Sequence, residues 1–130
     1  MTLISEQQLP SIVKRLANQI LETYPGLTNA VIVGLQPRGV FLSDRIVAAL
    51  HNEIPADQVK YGKLDITFYR DDVRTDLHLA KATDLPFSIE GKTVILIDDV
   101  LFTGRTIRAA LDALLSFGRP SKVSLCVLVD

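Results

Sequence analysis

Two adjacent carboxylates, Asp98 and Asp99, close the apolar run Thr93-Val-Ile-Leu-Ile97, and shortly afterwards Thr103-Gly104-Arg105-Thr106 opens a stretch with helical periodicity. Neighbouring carboxylates at the end of a buried strand repel each other and lose hydration, so they need a cation or hydroxyl groups to hold. A helix start with a glycine and two hydroxyls offers free backbone N–H groups, a cradle for one phosphate. Acids beside a phosphate nest suit a sugar phosphate, with hydroxyls bound at one end and phosphate at the other. The plain alternative is a helix cap preceded by solvated acids.

Other phosphate motifs fail on inspection. Glu90-Gly-Lys-Thr93 imitates the end of a P-loop, but Pro86 stands where the first glycine belongs and the segment leads into a strand. Gly34-Leu-Gln-Pro-Arg-Gly39 is not G-x-G-x-x-G, so a dinucleotide site is unsupported. A phosphorelay receiver would carry its acidic pair after the first strand, whereas here it follows the third. Lone Cys126 lies in the apolar run Val123–Val129 and is expected in the core. His51, near a helix end, is expected to be structural.

The elements that position these residues alternate. Ile12, Val13, Leu16, Ile20 and Leu21 recur at helical spacing, ending near Tyr24-Pro25-Gly26, with either a Ser5-x-x-Gln8 capping box or Pro10 in the first turn at the start. Ala30-Val-Ile-Val33 predicts a short strand stopped by Gly34. Val40 through Leu50 returns to helical periodicity through Leu42, Ile46, Val47 and Leu50. Val59 to Phe68 is rich in strand formers around Leu64, Ile66 and Phe68. It gives way to a polar stretch from Tyr69 to Lys81 that is long for a compact domain. Thr93 to Ile97 reads as a strand covered on both faces. A helix from Thr106 to Leu115 follows, with Ile107, Ala110, Leu111, Leu114 and Leu115 on its apolar stripe, and Gly118-Arg-Pro120 stops it. The apolar run before Asp130 makes a fourth strand.

Strands alternating with helices predict an α/β fold, a doubly wound, mostly parallel sheet flanked by helices. In such sheets ligands bind beyond the carboxyl ends of the strands. The informative places are therefore Gly34–Gly39, Tyr69–Asp72, Asp98–Thr106 and Asp130.

Composition bounds the class. The 130 residues fit one domain over 1–130; 48% are hydrophobic and 22% charged, which excludes a disordered or collagen-like chain. Fourteen Lys plus Arg against fifteen Asp plus Glu give a net charge of −1, so no global field draws the protein to nucleic acid or an anionic membrane. The amino terminus lacks a basic region followed by an apolar one, and no run approaches a membrane span, so a cytoplasmic location is expected.

Val94-Ile-Leu-Ile-Asp-Asp-Val-Leu-Phe-Thr-Gly-Arg-Thr106 resembles the signature of type I phosphoribosyltransferases, which bind phosphoribosyl pyrophosphate. The likeness extends through Val33–Leu42, Asp65–Asp72 and Arg119–Asp130 to the branch that combines uracil phosphoribosyltransferase activity with regulation of pyrimidine operons. The resemblance implies that Asp98 and Asp99 hold the ribose 2′- and 3′-hydroxyls, and that Thr103, Gly104, Arg105 and Thr106 receive the 5′-phosphate, with Val100, Leu101 and Phe102 completing that stretch. It implies that Gln36, Pro37, Arg38 and Gly39 form the pyrophosphate loop, Arg38 clamping the leaving group with its guanidinium. Tyr69, Arg70, Asp71 and Asp72 precede a closing catalytic loop in which Arg74, His78 or Lys81 would cover the substrate, Arg74 being assigned to catalysis.

The implied reaction is Mg²⁺-dependent transfer of phosphoribosyl to uracil, giving UMP and pyrophosphate. Magnesium would be held mainly through substrate, with Asp98 and Asp99 as the protein's contribution. Purine-using relatives commonly carry an acid just before Thr-Gly; here that position is Phe102, which favours a pyrimidine. The resemblance also implies binding of pyrimidine-operon leader RNA, for which Lys14, Arg15 and Arg45 on helical faces are candidates. It leads one to expect a further carboxyl-terminal segment in the family fold. Without that segment the chain would be a core binding phosphoribosyl pyrophosphate or nucleotide without efficient catalysis, and its exposed sheet edge predicts a homo-oligomer.

Overall fold

A computed structural model describes residues 8–36, 39–66, 83–98 and 104–127. Helix α1 (Leu9–Thr23) is followed by strand β1 (Ala30–Gln36), helix α2 (Gly39–His51), strands β2 (Tyr61–Asp65) and β3 (Thr93–Asp98), helix α3 (Gly104–Leu115) and strand β4 (Lys122–Val127). Single helical turns at Pro25–Leu27 and Ala56–Gln58 precede β1 and β2. The four strands form one sheet in the order β2-β1-β3-β4, every neighbouring pair parallel. Parallel pairing requires each strand to return over a face of the sheet, so helices cover both sides.

Side chains alternate across the sheet with period two, and the two faces make two cores. Ile32, Ile95 and Ile97 face Val13, Ala17 and Ile20 of α1 and Leu42, Ile46 and Leu50 of α2. Val31, Val33, Leu35, Val94 and Leu96 face Ala109, Ala110, Ala113 and Leu114 of α3. β3 lies in the middle and is buried from Val94 through Asp98, as its unbroken apolar run requires.

The expected elements are present with four adjustments. Pro10 sits in the first turn of α1, and Gln8 provides no side-chain cap; Ser5 lies outside the described residues. Gly34 does not stop β1: the strand continues to Gln36, because the missing side chain makes room for Ser43 of α2. The buried stripe of α3 runs through Ala109, Ala110, Ala113 and Leu114, while Leu111 and Leu115, one step round the helix, are 38% and 58% exposed. Small alanines let the helix lie close on the sheet, which leaves the bulkier leucines on its flank. Cys126 is only partly buried, at the margin of the α1–α2 core on β4, an edge strand among the described residues.

Candidate functional site

The carboxyl ends of the strands and the amino ends of α2 and α3 come together at one end of the sheet. Gln36 closes β1 opposite Asp65 of β2, and Asp98 closes β3 opposite Val127 of β4. Gly39 is the first residue of α2 and Gly104 the first of α3, so two helix starts, each with N–H groups that have no intrahelical acceptor and with a positive dipole end, stand over this edge. An anionic ligand is favoured there and a cationic one is not.

Gly39 binds two of these pieces together. A Cβ at this position would stand 2.3 Å from the Ile97 carbonyl oxygen and 3.0 Å from Asp98 Cα. Only a glycine lets the start of α2 press against the end of β3. Gly39 and Asp98 are thereby held as neighbours. Asp98 itself is 2% exposed, a carboxylate deep at the strand end.

The chain on either side of residues 67–82 converges on the same end. Thr83 Oγ1 accepts a hydrogen bond from the Asp65 amide at 3.1 Å, and Lys63 and Asp84 exchange two backbone bonds of 2.8 Å across the outer edge of β2.

Of the residues expected from sequence, Gln36, Gly39, Asp98 and the helical backbone of Gly104, Arg105 and Thr106 are brought to this end. Pro37, Arg38, Tyr69, Arg70, Asp71, Asp72, Arg74, His78, Lys81, Asp99, Val100, Leu101, Phe102 and Thr103 lie outside the described residues. His51 is the exposed last residue of α2, at the far end of that helix. Gly91 of the P-loop imitation turns with φ +69° just before β3, at the opposite end of the sheet, which disposes of that motif.

Lys14 and Arg15 are exposed on α1, and Arg45 lies on α2 with its guanidinium carbon 4.1 Å from the centroid of the exposed Phe41 ring. A groove of about 830 Å³ between α1 and α2 is bordered by Lys14, Asn18, Phe41 and Arg45. It contains none of the strand-end residues and is separate from the candidate site.

Sequence reasoning passed over Ser43 and Tyr61. The Ser43 and Tyr61 hydroxyls are 2.5 Å apart, and the Tyr61 hydroxyl donates to Asp44 Oδ1 at 2.6 Å. Gly34, which the strand pattern did not need, was the available signal of that close approach.

The donor expected for a metal is carboxylate oxygen at the end of β3, which suits a hard divalent cation. Among the described residues no group of three or more His, Cys, Asp or Glu could hold a metal ion. Also among the described residues, no helix is long and apolar enough to cross a membrane.

The sequence matches the phosphoribosyl transferase domain over residues 3–130. It is 52% identical over 120 residues to the bifunctional protein PyrR of Roseiflexus sp. (strain RS-1), covering 91% of this chain and 65% of that protein. It is 46% identical over 130 residues to the PyrR of Chloroflexus aurantiacus, covering 98% and 71%. The chain thus spans about two thirds of the length of these curated relatives. Among solved structures, hypoxanthine phosphoribosyltransferases from Trypanosoma cruzi and Staphylococcus aureus superpose with TM-scores of 0.70 and 0.65 at 20% identity. The first match covers 96% of this chain and 68% of that structure, and the second 98% and 65%. At that identity the likeness is one of fold.

Proposed function

We infer that this chain, which belongs to the phosphoribosyl transferase domain family, binds phosphoribosyl pyrophosphate at the strand ends and transfers its phosphoribosyl group to uracil. The observation that carries the reading is the contact allowed by Gly39, which sets the start of α2 against the backbone of Ile97 and Asp98. A ligand with pyrophosphate on one carbon and neighbouring ribose hydroxyls spans that pair of sites.

In the proposed reaction a uracil ring nitrogen forms a bond to the anomeric carbon as the bond to pyrophosphate breaks. The bonding electrons leave with the pyrophosphate oxygen, and the ring nitrogen gives its proton to solvent. Asp98 and Asp99 hold the ribose hydroxyls. The backbone and side chains of Thr103, Gly104, Arg105 and Thr106 receive the 5′-phosphate, with the α3 dipole adding to the attraction. Arg38, carried by Gln36, Pro37 and Gly39, clamps the departing pyrophosphate. Tyr69, Arg70 and Asp71 lead into the segment from which Arg74 closes over the substrate and excludes water. Asp98 and Asp99 are the residues that would hold Mg²⁺, which would supply neutralisation of the pyrophosphate charge.

Calorimetry of phosphoribosyl pyrophosphate against the wild type and Asp99→Asn tests the site. Affinity should fall by roughly tenfold or more, the worth of a charge-assisted hydrogen bond. Equal affinity would remove the ribose assignment.

A second reading, regulation of pyrimidine genes through leader RNA, is favoured by exposed Lys14 and Arg15 and by the Arg45–Phe41 stack. Binding should then weaken steeply with salt, and a flat titration at low salt would remove it. The protein would work in the cytoplasm as a homo-oligomer. The exposed Leu115 and Leu125 support the association.

A further inference from the structure

The phenol of Tyr61 stands where the first residue of β2 meets the second turn of α2. Its hydroxyl donates to Asp44 Oδ1 at 2.6 Å, which commits the phenol proton, so the single Ser43 hydroxyl proton is shared between two acceptors, the Tyr61 oxygen at 2.5 Å and the Val40 carbonyl oxygen. Ser43 Oγ also lies 3.1 Å from the Val40 carbonyl oxygen, one turn back along α2. Ser43 is fully buried, and it is seated directly on β1: a Cβ at Gly34 would stand 2.2 Å from its Oγ. Burial, with Asp44 beside it, pushes the Tyr61 pKa far above its ordinary value, so the proton stays in place through the physiological range.

A buried serine and a tyrosine hydroxyl are costly to desolvate, and apolar residues would pack α2 on the sheet equally well. What the polar chain adds is direction. It ties α2 at Ser43 and Asp44, just over a turn after Gly39, to Tyr61 of β2, with Ser43 seated on β1 at Gly34. We propose that Ser43, Tyr61 and Asp44 form a positioning device that holds the first turn of α2, beginning at Gly39, against the end of β3, in the geometry that receives the pyrophosphate of the substrate. This rests on the phosphoribosyltransferase reading given above. Tyr61 touches no reacting atom in this scheme; it acts through α2.

The test compares the full chain with Tyr61→Phe and Ser43→Ala. Amide hydrogen exchange of residues 43–47, followed without substrate, should quicken by about tenfold in each variant. The KM for phosphoribosyl pyrophosphate should rise about tenfold while kcat changes less than twofold, the split expected when ground-state and transition-state binding fall together. The double variant should lose no more than the worse single one, because both break the same chain. Asp44→Asn, whose amide oxygen still accepts from the phenol, should keep a near-normal KM, whereas Asp44→Ala should not.

Unchanged exchange in Tyr61→Phe overturns the proposal whatever the activity. Quickened exchange with an unchanged KM overturns it as well, and a uniform fall in kcat and stability would reduce the network to packing. A wild-type chain that forms no Mg²⁺-dependent product overturns the reading on which the proposal rests. The exchange measurement distinguishes that failure, since it needs no substrate.

Discussion

Replacing Gly39 by alanine should disable substrate binding out of proportion to its effect on folding. The new methyl would stand 2.3 Å from the Ile97 carbonyl oxygen, against a comfortable carbon–oxygen contact of roughly 3.3 Å. The start of α2 must then retreat from the end of β3 by about 1 Å. Overpacking of this kind costs about 1–3 kcal/mol, which at about 4 °C per kcal/mol for a chain of this length lowers Tm by about 4–12 °C. A shift of about 1 Å between the two halves of a binding site costs about a hundredfold in kcat/KM. The control is Gly91→Ala. Gly91 has φ +69° and no neighbour within 4 Å, at the other end of β3, so alanine there meets only backbone strain of about 1–2 kcal/mol. Thermal melts should show both variants destabilised, and calorimetry with phosphoribosyl pyrophosphate should show only Gly39→Ala weakened. Gly39→Ala binding within twofold of wild type, or Gly91→Ala losing as much, would refute the reasoning.

Gly34→Ala should destabilise by about 1–3 kcal/mol in chemical denaturation, since its methyl must displace the Ser43 hydroxyl 2.2 Å away; in a Ser43→Ala background the penalty should shrink. Burial pushes the Cys126 thiol up to about 11, so about one thiol in a thousand is ionised at pH 8 and alkylation followed by mass should be slow there, rising toward pH 11. The folded state keeps this proton after the unfolded chain gives it up, so the associated stability is full below about pH 8.5 and is lost as pH rises towards 11. Leu125, 46% exposed on β4, should support self-association, and Leu125→Lys should shift sedimentation toward the monomer; an unchanged profile would point to another interface.

The elements were legible because their patterns are strong. β3 is an uninterrupted apolar run and lies in the middle of the sheet, while α1 and α2 carry stripes that match their buried faces. What eluded the sequence depends on contacts between elements distant in the chain. Gly34 looked like a strand terminator because a glycine lowers strand propensity; it is retained inside β1 because Ser43 needs the space. α3 buries alanines in preference to two of its leucines, a choice set by how closely the helix approaches the sheet. At the candidate site, the assignment of Gly39 and Asp98 to one place followed from the rule that ligands bind at strand ends. Their contact through the Ile97 carbonyl did not, because nothing in a linear pattern states how near two loops come. The Ser43–Tyr61–Asp44 chain was invisible for the same reason: each residue alone reads as ordinary helix or strand.

The central claim is tested most directly by incubating the chain with radiolabelled uracil, phosphoribosyl pyrophosphate and Mg²⁺ and separating the products. The account predicts labelled UMP that disappears on chelation of the metal and is not matched by nucleotide formation from hypoxanthine. No UMP at high protein concentration, with phosphoribosyl pyrophosphate intact, would contradict it.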